Sequence, residues 1–140
     1  EAVDFHAPLY PNINYTLPSN PERLITQAHP DSLARAIDNL ISNAGRYAKS
    51  RVMLSAKTVE QSVVITIEDD GNGIPETEWE TVFEPFTRLN QGDSRGVGLG
   101  LALVQRITKQ HKGQVTVSHS TLGGACLTIQ LPHPSRSTED

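Results

Sequence analysis

From Val63 to Asp69 apolar and polar residues alternate, and an aspartate occupies the position where the apolar row would continue. Val63, Ile65 and Ile67 fall on one face of a strand and Thr66 and Glu68 on the other, which puts Asp69 on the apolar side. A carboxylate at the end of a buried row needs a partner, because leaving it unpaired costs several kcal/mol. The chain then breaks at Gly71 and Gly73, residues that allow positive φ and close approach of another group to the backbone. On this stretch alone two readings are equally good: a ligand floor, or a charged strand end followed by an ordinary turn.

The chain has 140 residues, enough for one domain (1–140) with a substantial core; the expected ordered part runs from about 12 to 132, with 133–140 a disordered tail. A formal net charge of −4 gives no basic footprint, so nucleic acid is not an expected partner. The single cysteine, Cys126, excludes an internal disulfide and suits a reducing compartment. No apolar run reaches the length of a membrane span, and no signal peptide opens the chain. The start at Glu1 without methionine and the polar tail suggest a segment of something longer, soluble and monomeric by itself.

Residues 1–12 read as an irregular lead-in with Pro8 and Pro11. Ile13–Leu17 alternates and predicts a strand, and Arg23–Ala28 predicts a second. A helix is expected from Pro30 or Asp31 to about Ala48, because Leu33, Ala36, Ile37, Leu40, Ile41, Ala44 and Ala48 repeat as one apolar stripe. Val52–Val59 and Val63–Asp69 predict an antiparallel hairpin across Glu60-Gln61. Thr77–Val82 predicts a short helix carrying Trp79, and Thr87–Arg95 a polar loop. A second long helix follows Gly96–Leu101 and runs to about Lys112. Gln114–His119 and Ala125–Leu131 form a closing hairpin around Thr121-Leu122-Gly123-Gly124. The simplest architecture is α+β: two layers, with helices on one face of a mixed, mostly antiparallel sheet.

On the first helix Asn39, Asn43 and Arg46 make a second line, at the edge of the apolar stripe or just beyond it. Asparagine prefers caps and turns, so two of them mid-helix need hydrogen-bond partners. A solvated flank with satisfied amides is the simpler reading of these residues by themselves. Gly96, Gly98 and Gly100 form a glycine-rich turn feeding a helix N-terminus, where free N–H groups and the dipole favour phosphate. The spacing is neither a Rossmann fingerprint nor a P-loop, since it does not directly follow a strand and lacks the lysine.

Asn39-Leu40-Ile41-Ser42-Asn43-Ala44 resembles the N box of sensor histidine kinases, and Asp69-Asp70-Gly71-Asn72-Gly73 their first glycine box. Phe83-Glu84-Pro85-Phe86 resembles the F box, Gly96–Leu101 the second glycine box, and Gly123-Gly124-Ala125 the third. The five occur in family order across roughly residues 30–131. The chain thus resembles the catalytic, ATP-binding domain of a bacterial two-component sensor kinase. The implied fold is the Bergerat ATP-binding sandwich, shared with type II topoisomerases and certain chaperones.

The resemblance implies a site for ATP and Mg2+. Asp69 would accept a hydrogen bond from the adenine amino group, an acceptor-only carboxylate matching adenine and mismatching the oxo group of guanine. Gly71 and Gly73 belong to the same box; Gly73 would let the base approach, with Ile74 and Tyr47 as apolar walls. Asn43 would ligate magnesium, the triphosphate supplying charge and most other ligands. Arg46 and Arg88 would reach the phosphates. Thr87–Arg95 corresponds to a mobile lid, and Gly96, Val97, Gly98, Leu99, Gly100 and Leu101 to its hinge and phosphate cradle. Asn39 stands where ATP-hydrolysing relatives carry a glutamate that activates water. An amide cannot take up a proton, so transfer to a protein nucleophile is expected; adjacent Asp38 points about 100° away and is expected in solvent.

None of the five histidines has the family's phospho-acceptor setting, and all are expected at the surface. Lys109 and Lys112 read as partners of a helix dipole. The implied partners are a histidine-bearing dimerisation domain of the same protein and the receiver domain of a response regulator. The implied whole is a homodimer anchored in the inner membrane, with this domain in the cytoplasm. Two other classes remain beside this one: an ATP-driven conformational switch of the topoisomerase or chaperone type, which Asn39 disfavours, and a nucleotide-binding pseudo-kinase, which intact Asn43, Asp69 and glycine boxes disfavour.

Overall fold

The structure, a computed structural model, describes residues 10–16, 30–60, 62–84 and 100–132, with the side chains of 30 and 31 left aside. Five strands form one sheet: β1 (Asn14–Thr16), β2 (Arg51–Val59), β3 (Ser62–Asp69), β4 (Gln114–His119) and β5 (Ala125–Pro132), in the order β1-β2-β3-β5-β4. The β1–β2 pair is parallel and the other three are antiparallel. Two helices, α1 (Pro30–Tyr47) and α2 (Gly100–Gln110), cover one face of it. This is the expected mixed two-layer sandwich.

The layering follows from the sequence periods. In β3 Val63, Ile65 and Ile67 are buried and alternate with half-buried Val64, Thr66 and Glu68. Ile65 lies opposite Ala56 on one side and Ile129 on the other, so the apolar rows of three strands align across the sheet. Onto them α1 lays Leu33, Ala36, Ile37, Leu40, Ile41 and Ala44, and α2 lays Leu101, Val104 and Ile107, all within one core. The hairpin between β2 and β3 turns through Glu60, whose φ is 56°.

Two elements differ from expectation. The segment carrying Trp79 forms two separate 3-10 turns, Glu76–Glu78 and Thr81–Phe83, instead of one helix. The Trp79 indole N–H donates to the carbonyl of Ile74 at 2.8 Å, tying the first turn to the segment before it. Asp38 is half-buried, with Oδ1 shielded from solvent. Seven residues on, Gly45 is packed by the rings of Tyr10 and Tyr15. The segment before and through β1, read from sequence as an irregular lead-in and a strand, thus folds over that flank of α1. The expected strand Arg23–Ala28, the loop Thr87–Arg95 and the tail 133–140 lie outside the described residues.

Ile65 and Ile129, facing each other across β3 and β5 and 1% and 0% exposed, anchor this core. Truncating either to alanine is expected to cost about 2–5 kcal/mol in urea unfolding. Val59→Ala, at a position 41% exposed, should shift the same midpoint by less than about 0.5 kcal/mol.

Candidate functional site

β3 occupies the middle of the sheet, and its last residue, Asp69, is 4% exposed on the core face. Among the described residues its carboxylate is held by main-chain donors only. The amide of Gly71 donates to Oδ1 at 2.8 Å and the amide of Ala125 to the same oxygen at 3.3 Å. Among the described residues both hydrogen bonds therefore fall on Oδ1, and Oδ2 retains its acceptor capacity. Burial pushes the Asp69 carboxyl above its ordinary range; the amides of Gly71 and Ala125 oppose that, and the neighbouring charge of Asp70 adds to it.

The third glycine cluster closes around this carboxylate. Gly124 donates its amide to the Asp69 carbonyl at 3.1 Å, and a methyl group on Gly124 would overlap Asp69 Oδ1 and crowd the Gly71 amide. Gly73, at φ 78°, adopts a backbone conformation that favours glycine and sits beside Gly124. A side chain on Gly71 would run into the carbonyl of Tyr47, the last residue of α1. Glycines far apart in the chain thus meet at one carboxylate and one helix end. Ile74 is 5% exposed, its carbonyl fixed by Trp79, while Tyr47 is half-buried.

On α1, Asn39, Asn43, Arg46 and Tyr47 lie at i, i+4, i+7 and i+8, on one face and all half-buried. At 1.5 Å per residue, Asn39 and Tyr47 stand about 12 Å apart along the axis. The Asn39 amide lies next to Gly100, the first residue of α2, with room there for a methyl group. Leu101 packs into the core, so only its backbone is available to a ligand. Beside this helix end opens a groove of about 870 Å³, lined by Asn39, Phe83, Gly100, Leu103, Arg106 and Lys109 among others. Arg88, Gly96, Val97, Gly98 and Leu99 lie outside the described residues. No group of three or more His, Cys, Asp or Glu side chains converges on a metal site among the described residues.

The structure brings Asp69, Gly71, Gly73 and the end of α1 together, and Asn39 together with the start of α2. Gly124 and Ala125 were assigned to a motif by sequence but given no part in the site; their contact is with Asp69 itself. The signal was present in the glycine pair, whose partner is 55 residues earlier in the chain and invisible to local periodicity. Asp70 stands in the first glycine box, but the sequence gives its side chain no role.

Comparison with known proteins decides the lineage. The sequence profile described as histidine kinase-, DNA gyrase B-, and HSP90-like ATPase matches residues 28–135. The chain belongs to this family. It is 40% identical over 130 residues to the sensor-type histidine kinase PrrB of Mycobacterium tuberculosis, covering 92% of this chain and 29% of that protein. It is 37% identical over 112 residues to the sensor histidine kinase CpxA of Escherichia coli, covering 78% of this chain and 24% of that one. The chain thus spans under a third of the length of these relatives. The crystal structure of the ATP-binding domain of PrrB from Mycobacterium tuberculosis superposes with a TM-score of 0.70 at 35% identity, over 89% of this chain and 83% of that one. The fold is therefore the α+β ATP-binding sandwich of histidine kinase catalytic domains.

The geometry of this ATPase-family domain gives a test with a definite sign. A carboxyl raised by burial favours its protonated form in the folded state. Its contribution to stability is fully present below the unfolded value and is lost as pH rises through the raised folded value. Asp69→Asn keeps an oxygen for the two amides without a buried charge. At neutral pH its denaturation midpoint is expected to equal or exceed that of the wild type. Gly124→Ala should instead lower stability by about 1–3 kcal/mol, because the added methyl overpacks the carboxylate.

Proposed function

We propose that this chain is the catalytic part of a two-component sensor kinase, binding Mg-ATP and passing the γ-phosphate to a histidine on a separate dimerisation domain. The single observation that carries this reading is the Asp69 carboxylate: buried, pinned through Oδ1 by two amides, and left with Oδ2 as an acceptor. Such a group selects a ligand with a matching donor, and the exocyclic amine of adenine is one. In this reading Gly73 and Ile74 would border the base, and the phosphates would extend along α1 toward Asn39 and the N-terminus of α2.

Magnesium fits this donor set. Asn43 would offer a neutral amide oxygen from the half-buried polar face of α1. A bound magnesium ion would neutralise charge on the β- and γ-phosphates. Arg46 adds a fixed positive charge on the same face, and Arg88 and the glycine turn from Gly96 to Gly100 complete the proposed phosphate site. Asn39 has no proton-accepting capacity, so this position supplies no base for water beside Gly100. The nucleophile is then an incoming imidazole, whose nitrogen bonds to phosphorus as ADP leaves and whose proton passes to solvent. Catalysis rests on orientation and charge neutralisation.

The full-length protein in this reading is a membrane-anchored homodimer with this domain in the cytoplasm, and a response regulator receives the phosphoryl group. No helix among the described residues is long and apolar enough to cross a membrane. An ATP-driven switch of the topoisomerase or chaperone type would need a base where Asn39 stands.

ATP should bind about ten- to a hundred-fold more tightly than GTP in calorimetry, the value of a hydrogen bond to a charged buried group. Asp69→Asn should erase this preference: its oxygen must face the two amides, which turns the NH2 toward the base. ATP affinity should also fall as pH drops through the raised range of Asp69. Equal ATP and GTP binding by the wild type would sink the reading.

The chain alone should hydrolyse ATP far below about 1 per second. With a matching acceptor domain added in trans, it should form an acid-labile, base-stable phosphohistidine. Asn43→Ala should abolish that product with the fold intact, while Asn39→Glu should raise hydrolysis.

A further inference from the structure

The side chain after Asp69, just beyond the end of β3, accepts four hydrogen bonds where that of Asp69 accepts two. Asp70 Oδ1 accepts from three successive main-chain amides, Lys49 at 2.8 Å, Ser50 at 3.0 Å and Arg51 at 3.1 Å. Its Oδ2 accepts from the Ser50 hydroxyl at 2.7 Å. The Asp70 amide in turn donates to the Arg51 carbonyl at 3.3 Å. All of these donors lie in the turn that leaves α1 at Tyr47 and enters β2 at Arg51. Burial disfavours ionisation of Asp70. The main-chain and hydroxyl bonds from Ser50 and the amides of Arg51 and Lys49 outweigh it, and hold the carboxyl well below its usual range.

The consequence is geometric. Three consecutive N–H groups converging on one oxygen form a cradle that an anion fills well. Asp70 thereby fastens the C-terminal end of α1 to the end of β3. The seat is close, because Gly71 already lies against the Tyr47 carbonyl. Asp69 belongs to the β3 side of this joint. Asn43, Arg46 and Tyr47 belong to the α1 side. The donors to the Asp69 carboxylate, Gly71 and Ala125, are distinct from the three amides that Asp70 gathers.

We propose that Asp70 is a positioning residue that sets the spacing between the base pocket at Asp69 and the phosphate-binding face of α1, and hence the affinity for a ligand spanning both. The proposal rests on the nucleotide-site reading above. The joint lies at the surface, so without Asp70 the amides of residues 49–51 find water and the domain still folds. What is lost is the fixed relation of two half-sites. A ligand that occupies only the base pocket does not register the change, whereas ATP does.

The test is calorimetry of ATP and of adenosine against wild type, Asp70→Ala, Asp70→Asn and Ser50→Ala, at a temperature where every variant is folded by circular dichroism. Asp70→Ala should weaken ATP about tenfold, the scale on which a small misplacement of binding groups acts, and leave adenosine within about twofold. Asp70→Asn keeps an oxygen for the three amides and should weaken ATP by only about two- to threefold, as should Ser50→Ala, with adenosine unchanged. An equal loss for ATP and adenosine would assign Asp70 to support of the base pocket as a whole and overturn the proposal, as would no loss for either. Wild-type chain that binds ATP and GTP alike removes the underlying nucleotide reading, and the proposal with it. If Asp70→Ala does not fold, the two milder variants decide: an ATP-selective weakening in them supports the spacing role, and unchanged affinities overturn it.

Discussion

A carboxylate buried at the end of the central strand is the constraint from which the rest of this domain follows. Asp69 has 4% of its surface exposed and no cationic partner among the described residues, so its charge is met by main-chain amides. Supplying them requires the chain to double back within two residues to present the Gly71 amide. It also requires β5 to begin beside Asp69, so that the Ala125 amide arrives from the other side. Gly124 must be bare, because the space a side chain would occupy is filled by the carboxylate. One acidic residue thus dictates a turn on its own strand and the composition of a turn between two others.

The remaining functional groups are arranged along a second axis. α1 buries its apolar stripe on the sheet and leaves Asn39, Asn43, Arg46 and Tyr47 along the edge that faces outward from the core. The helix reaches Asp69 at its C-terminal end, through Tyr47 and Gly71, and reaches α2 through Asn39 and Gly100. A base held at one end and a phosphate chain at the other are separated on the same scale as this run of helix. The family to which the chain belongs includes proteins of quite different output, and the asparagine at position 39 is what separates transfer from hydrolysis in our reading. Kinship with PrrB and CpxA covers less than a third of those proteins.

Local patterns carried most of the architecture. The strand periods of Val52–Val59, Val63–Asp69, Gln114–His119 and Ala125–Leu131 and the stripe from Leu33 to Ala44 all correspond to observed elements. The helix expected around Trp79 does not: the segment forms two 3-10 turns and its indole bonds the Ile74 carbonyl, a contact that no period encodes. Asp38 was expected in solvent and is half-buried; further along α1 Tyr10 and Tyr15 pack against Gly45, from a segment whose own sequence announces no docking.

The sequence by itself determined which side of β3 Asp69 occupies, since alternation has a period of two and admits no slip without exposing Val63, Ile65 and Ile67. It determined likewise the line of polar residues on α1, which follows from 3.6 residues per turn. Only the tertiary structure decided what those groups touch. Ala125 and Gly124 reach Asp69 across a β3–β5 register, and Lys49, Ser50 and Arg51 reach Asp70 across the end of α1. The donors are backbone amides, which every residue but proline possesses. A side chain announces its chemistry in the sequence; an amide acquires a role only when folding aims it at an acceptor.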